Sequence, residues 1–206
     1  MAKTSKKILN PAIAAMLSAL AFVLMFIEFP VPIMPAFIKF DISDLPALFG
    51  AFALGPVYGV IIELIKNLLH IIIKGTTSAF IGELSNFLLG AVFVAVAALI
   101  KGKDKSFKKV IIASVIGAVA MGIVCLPINY FLVYPAYVKF YHMPLEAIIG
   151  MYKEILPTVA GIPTENALFN CLLVFNVPFT AVKGIIDAAL CIAIYKPLSK
   201  ALKDRI

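Results

Sequence analysis

Leu45-Pro46-Ala47-Leu48-Phe49-Gly50-Ala51-Phe52-Ala53-Leu54-Gly55-Pro56-Val57 opens an apolar stretch that continues to Ile73, and its division sets the number of membrane crossings. As one helix the stretch would be about 44 Å long, well beyond the ~30 Å hydrocarbon core of a bilayer. Gly55-Pro56 is a stop-and-restart signal, because glycine ends helices readily and a proline at the first helical position needs no N–H. The stretch therefore predicts a short helix 2 over Leu45 to Leu54 and a helix 3 over Val57 to Ile73. Helix 2 cannot cross an unthinned bilayer, which predicts a tilted or partly re-entrant piece buried in protein.

Composition sets the frame for that division. The chain has 206 residues, 63% of them hydrophobic and 14% charged, with a mean hydropathy of +1.05; these values exclude a soluble globular domain. The first apolar run, Ile8 to Ile27, lacks a small-residue cleavage site and leads into a proline-rich turn, so it reads as a span and not as a cleaved signal. The net charge of +7 comes from lysines at the ends of apolar runs, which signals topology and not nucleic-acid binding. Cys125, Cys171 and Cys191 have no Cys-x-x-Cys spacing, so neither a disulfide framework nor a metal site is expected. They read as small apolar packing residues.

Twelve of the 18 basic residues fall in three clusters: Lys3, Lys6 and Lys7; Lys101, Lys103, Lys105, Lys108 and Lys109; and Lys196, Lys200, Lys203 and Arg205. Basic residues favour the cytoplasmic side, and only six crossings put all three clusters there. The expected fold is a single all-α transmembrane domain over residues 1–206 in the cell membrane, with six helices and both termini cytoplasmic. Helix 1 is expected from Asn10 to Phe29, helix 4 from Phe80 to Ile100, helix 5 from Val110 to Val133 and helix 6 from Pro178. Pro30, Pro32 and Pro35 forbid a helix after Phe29, so the segment to Asp44 reads as an extended or hairpin-like outer lid, with Ser43 or Asp44 as the next N-cap. Tyr134 to Asn176, with Tyr134, Tyr137 and Tyr141 and a Pro163-Thr164-Glu165-Asn166 cap signature, reads as an outer interfacial cover.

Ionisable residues inside the apolar runs carry the functional reading. Thr180, Lys183 and Asp187 lie one helical turn apart on one face of helix 6. Such charges cost at least ~2.5 kcal/mol to insert and are functional by default, although Lys183 and Asp187 could also pair simply to orient the helix. Glu63, Lys66, Asn67 and His70 form a stripe on helix 3, where Glu63 and Lys66 can pair and a lone histidine is more often a packing residue than a ligand. With six crossings, Asn86, Asn129, Thr180 and Lys183 converge in the outer half beneath Phe37, Lys39 and Phe40. That is a polar pocket with aromatic walls, suited to a flat heteroaromatic molecule whose edge amides can read. No Gly-x-Ser-x-Gly, His-Glu-x-x-His or Gly-x-x-x-x-Gly-Lys-[Ser/Thr] is present, so no enzymatic chemistry is expected. On helix 1, Ala15-x-x-x-Ala19, with Ala14 and Ser18 on an adjoining ridge, would let another helix approach closely. A stand-alone ion-coupled carrier using Glu63, His70 and Asp187 remains the alternative.

Several motifs recur together: Phe29-Pro30-x-Pro32, Phe40-Asp41-Ile42-Ser43-Asp44-Leu45-Pro46, Phe52-Ala53-Leu54-Gly55-Pro56, Leu64-Ile65-Lys66-Asn67-Leu68-Leu69, Asn86-Phe87-Leu88-Leu89-Gly90, Asn129-Tyr130-Phe131 and Pro178-Phe179-x-x-x-Lys183-Gly184. In this order they resemble the riboflavin-binding S components of energy-coupling factor (ECF) transporters over nearly the whole chain. The resemblance implies a six-helix protein that captures riboflavin from outside as a transported substrate, with no cofactor. It also implies a transmembrane T component and two cytosolic ATPases as partners, with the small-residue face of helix 1, at Ala15 and Ala19, docking on the T component. Asn129 and Lys183 match the family's flavin-binding amide and lysine. Thr180 stands where the family has Pro-Phe-Asn, and the segment between Asn129 and Lys183 is longer than the family's. Another flavin or vitamin is the alternative ligand.

Overall fold

The computed structural model describes residues 2–104, 106–156 and 166–202. Apolar sequence without an aqueous partner for its backbone must form helices, and nearly all of the described chain is helical. The order is α1 (Ala2–Phe26), a two-residue hairpin ladder β1 (Phe29–Pro30) and β2 (Lys39–Phe40), α2 (Asp44–Leu54), α3 (Pro56–Lys74), α4 (Ile81–Lys101), α5 (Phe107–Ile128), α6 (Tyr134–Phe140), α7 (Leu145–Ile155), α8 (Ala167–Cys171) and α9 (Val177–Leu202). Five helical stretches are long and apolar enough to cross a membrane: Ile8–Phe26, Pro56–Lys74, Ile81–Lys101, Phe107–Phe140 and Ala167–Pro197.

The break at Gly55 is real, and its backbone explains it. Gly55 has φ +104, a conformation that side-chain-bearing residues rarely adopt, and Pro56 starts α3 immediately afterwards. The resulting α2 has 11 residues, a length of about 16 Å. It packs against α1, α3, α4 and α9, and buries Asp44, Pro46, Ala47, Leu48, Phe49, Gly50, Ala51 and Phe52. A helix hidden in protein on every side needs no membrane-length apolar surface, which answers why so short an element is stable here. Lys101, at the end of α4, donates to the Phe52 carbonyl at 3.2 Å and so closes the C-terminal end of α2.

Two expected boundaries need correction. Helix 5 does not end at Val133, and helix 6 does not begin at Pro178. The chain is helical from Phe107 to Phe140 and from Ala167 onward, each run interrupted by one π-helical turn, at Asn129–Val133 and at Leu172–Asn176. Each π turn is followed two residues later by a proline, Pro135 or Pro178. Proline offers no N–H to the preceding turn and crowds it, and a widened turn absorbs that misfit without ending the helix. The segment expected to be an interfacial cover therefore begins and ends as extensions of two spans. Pro163, Thr164 and Glu165 of its cap signature lie outside the described residues, and Asn166 precedes α8 without a side-chain cap bond. The N-cap expectation fails similarly: Ser43 precedes α2 in an α-helical conformation and its side chain makes no cap bond.

The core has two parts. One surrounds α2 and includes Leu48, Phe49, Ile62, Phe93, Val110 and Met121. The other lies at the hairpin end and includes Met34, Ile81, Tyr134, Tyr137, Ile148, Tyr152 and Leu172. On α1, Ala14, Ser18 and Ala21 face inward, whereas Ala15 and Ala19 are exposed. Where α4 meets α5, a Cβ on Gly117 would stand 2.8 Å from the Phe93 carbonyl oxygen and 2.9 Å from the Ala97 Cβ. Gly117→Leu should therefore force the two helices apart and cost about 1 to 3 kcal/mol. Thermal unfolding in detergent checks this: a clear drop in midpoint is expected for Gly117→Leu. None is expected for Gly150→Ala, whose added Cβ would meet nothing within 4 Å.

Candidate functional site

Three ionisable side chains expected from the sequence to lie inside the bundle, Glu63, Lys66 and Lys183, are joined there by Asp44 of α2. One Asp44 oxygen accepts a short hydrogen bond from Lys66 of α3 and the other a short hydrogen bond from Lys183 of α9. Lys66 also pairs with Glu63 at 2.7 Å, and Lys183 lies 3.5 Å from Asp41 and 3.6 Å from Asp187. Both pairings anticipated along single helices, Glu63 with Lys66 and Lys183 with Asp187, are present. The link through Asp44 between different helices was not anticipated. Asp41 is held in turn by Ser43, whose N–H and hydroxyl donate to Oδ1 at 2.8 and 2.5 Å. The Asn86 amide approaches the other Asp41 oxygen at 3.5 Å.

Above this cluster, toward the hairpin, a cavity of about 170 Å³ lies between the two parts of the core. Its walls take Leu89 and Met121 from the first part and Val133, Tyr134 and Tyr137 from the second. Asn86, Asn129, Thr180, Lys183, Phe37 and Lys39, all expected at the site, line it. Phe40 does not: it packs on Phe29 and edge-on against Phe179, and it is Phe179 that reaches the cavity. The reason is register. Phe40 pairs with Phe29 in the ladder, which turns its ring away.

Asn129 and Thr180 are connected through a residue read from the sequence as mere packing. The Asn129 amide donates to Cys125 Sγ at 3.0 Å, and Cys125 Sγ lies 3.2 Å from Thr180 Oγ1. Cys125 is thus a polar link, while all three cysteines are free and buried. Asn129 opens the first π turn, and Asn176, which sequence reasoning missed, closes the second. Asn176 accepts from the Tyr152 hydroxyl at 2.6 Å and donates to the Tyr134 hydroxyl at 3.1 Å, and the two hydroxyls share a short hydrogen bond. Asn176-x-Pro178 was the available signal, a polar residue just ahead of a proline inside an apolar run. Asp41, Tyr134, Tyr137, His70 and Glu83 also line the cavity without having been assigned to it.

At the mouth, Glu28 joins the hairpin to the end of α3. Lys39 donates to Glu28 Oε1 at 2.6 Å and Lys74 to the same oxygen at 2.5 Å. Partial burial pushes the Glu28 carboxyl upward, but these two lysines outweigh it and hold the group below its ordinary value.

What this cavity can do is bind. It offers amide, hydroxyl and ammonium groups beside aromatic rings, and among the described residues no three His, Cys, Asp or Glu side chains are grouped to hold a metal ion. The class is a membrane-embedded solute-binding protein built around a polar cavity in a helical bundle. More specifically, the chain belongs to the family described as "ECF transporter, substrate-specific component", whose model matches residues 9–195. Members of this family are transport components and not enzymes. The chain is similar to the riboflavin transporter RibU of Staphylococcus aureus (strain TCH60), 36% identical over 189 residues, covering 92% of this chain and 89% of the relative. It is also similar to the riboflavin transporter FmnP of Bacillus subtilis (strain 168), 33% identical over 181 residues, covering 87% and 86%. A solved structure described as the S component of a bacterial ECF transporter matches at a TM-score of 0.70 and 33% identity, covering 94% of this chain and 97% of the other.

The strap at the mouth gives a pH prediction. A carboxylate with a lowered pKa in the folded protein stabilises its contacts above its ordinary value, near 4.5, and loses them as pH falls through the lowered one. Hydrogen exchange should show the hairpin, residues 29–40, protected at neutral pH and more exposed as pH drops below about 4.5. Glu28→Gln should produce the same loss at neutral pH, with exchange in α4 and α5 unchanged. Equal protection in the variant would show that the strap holds nothing.

Proposed function

We propose that this protein captures riboflavin on the outer side of the cell membrane and delivers it inward as the substrate-specific subunit of an ECF transporter. The observation that carries the reading is the cavity itself, where Asn129, Thr180 and Lys183 line the same space as aromatic side chains including Phe37 and Phe179. Amides and an ammonium read the carbonyl and N–H edge of a flavin ring, and the aromatic side chains cover its faces. Asn86 and Lys39 complete the polar wall. The riboflavin transporters named among its relatives, each aligned over most of its length, support the choice of ligand.

In this reading the chain is one transmembrane unit of six helices, with α2 as the short one, and both termini are cytoplasmic beside the three basic clusters. The hairpin end then faces outward and Glu28, Lys39 and Lys74 ring the entrance. The exposed face of α1 at Ala15 and Ala19 is the docking ridge for the T component, which works with two cytosolic ATPases. Small side chains there permit close helix contact. The buried oxygens Glu63 Oε1 and Asp187 Oδ1, which accept no hydrogen bond while their partner oxygens face Lys66 and Lys183, favour one second reading, a stand-alone ion-coupled carrier.

Fluorescence-quenching titration of the purified protein with riboflavin tests the ligand. Asn129→Ala should weaken binding by roughly 1 to 3 kcal/mol, up to about a hundredfold. Lys183→Ala should do more harm, because it also leaves Asp41, Asp44 and Asp187 facing one another with one cation fewer. Breaking a buried pair in that way costs about 3 to 5 kcal/mol of stability. Wild-type affinity in Asn129→Ala would overturn the site assignment.

The partner assignment has a separate test. Replacing Ala15 and Ala19 together by leucine should leave riboflavin binding intact and abolish uptake in cells supplying the T component and ATPases. A stand-alone carrier would retain uptake in that variant and would transport in liposomes containing this chain alone.

A further inference from the structure

We infer that Tyr152 of α7, which stands outside the residues lining the cavity, is a positioning residue for ligand binding: its hydroxyl fixes the Asn176 amide and the Tyr134 ring, which do line it. The inference rests on the flavin reading above and adds an outlying element, α7, to the machinery that captures the ligand.

The placement starts from the two widened turns. Tyr134 is the first residue after one π turn and Asn176 the last residue of the other. None of the α7 residues lines the cavity, so α7 supports these two from behind. Ile148 and Tyr152, one helical turn apart on its inner face, are both 0% exposed, while Glu146 and Glu154 on its far side are exposed. The Tyr152 ring packs on Phe175, with 5.2 Å between centroids. Its hydroxyl thereby arrives between the two π-interrupted spans and bonds to both.

Three polar groups close a ring there. The Tyr152 hydroxyl donates to Asn176 Oδ1 at 2.6 Å, and the Asn176 amide N–H donates to the Tyr134 hydroxyl at 3.1 Å. Tyr152 directs its one proton to Asn176, so in the short bond between the two hydroxyls Tyr134 is the donor. Each group then donates once and accepts once. All three are buried, and a bond opened in such a place leaves a polar group without a partner. Two features of the cavity follow from the ring. It holds the Tyr134 side chain, whose ring meets Phe37 edge-on with 6.4 Å between centroids. It also fixes the Asn176 amide about its last torsion, which is broad when nothing constrains it. Without the Tyr152 hydroxyl, Asn176 Oδ1 loses its donor and the amide turns. A site whose competent arrangement is only partly populated binds its ligand more weakly in the same proportion.

The test is a double-mutant cycle. Riboflavin dissociation constants are measured by fluorescence quenching on the wild-type protein, Tyr152→Phe, Asn176→Ala and the double variant. Tyr152→Phe removes one hydroxyl and keeps the ring that packs on Phe175, so the fold should be retained, which thermal unfolding without ligand checks. Tyr152→Phe should weaken riboflavin by about tenfold, the size of one lost buried hydrogen bond. In the Asn176→Ala background the same change should weaken it by less than about twofold, because the ring is already open. A residue that merely props up the fold would lower the unfolding midpoint and leave the dissociation constant unmoved. Wild-type affinity in Tyr152→Phe, or losses that multiply in the double variant, overturns the positioning role and leaves the flavin reading standing. Failure of the wild-type protein to bind riboflavin overturns the flavin reading and the positioning role with it.

Discussion

Asp44 holds two lysines from two different helices, and the interior depends on that double contact. Lys66 is 0% and Lys183 6% exposed, and an ammonium at such depth is sustained only by close opposite charge. Asp44 supplies it because α2 starts inside the protein, so the first residue of a helix enters the core and its carboxylate lies beside unpaired N–H groups. Both lysines then have fixed positions, and the floor of the cavity is set.

The same constraint explains why α2 is short. A membrane-length helix at this position would carry its N-terminus to the bilayer surface, and Asp44 with it. Eleven residues, stopped by Gly55 and sealed at that same C-terminal end by Lys101, leave the N-terminus at the depth where Lys66 and Lys183 arrive. The space beyond that N-terminus is closed by the hairpin and by the extensions of the two π-interrupted helices. Their widened turns bring Asn129 and Asn176 to the inner side, and π turns occur often at functional sites.

Much of this was legible in the sequence, and the reasons are local. Gly55-Pro56 marked the division between α2 and α3 because a positive φ followed by a proline has few other structural uses. Glu63, Lys66, Asn67 and His70 declared an inward stripe by helical spacing alone, and the cavity residues Asn129, Thr180 and Lys183 stood out because polar groups inside apolar runs are costly. Phe40 misled because a period-two pattern does not say which face meets the interior. Cys125 misled because a thiol reads as apolar until hydrogen-bonding groups stand beside it. Asn176 was lost in a segment whose prolines suggested a helix start where there was only a widened turn.

The sequence by itself determined the membrane class, the break at Gly55, the inward faces and the residues too polar to be there without purpose, since each follows from transfer cost and the geometry of one helix. Only the tertiary structure decided who meets whom: Asp44 between Lys66 and Lys183, Cys125 between Asn129 and Thr180, Glu83 beside His70. These contacts join residues as far as 139 positions apart. Their formation depends on how helices rotate and settle against one another, and no spacing along a chain encodes that directly.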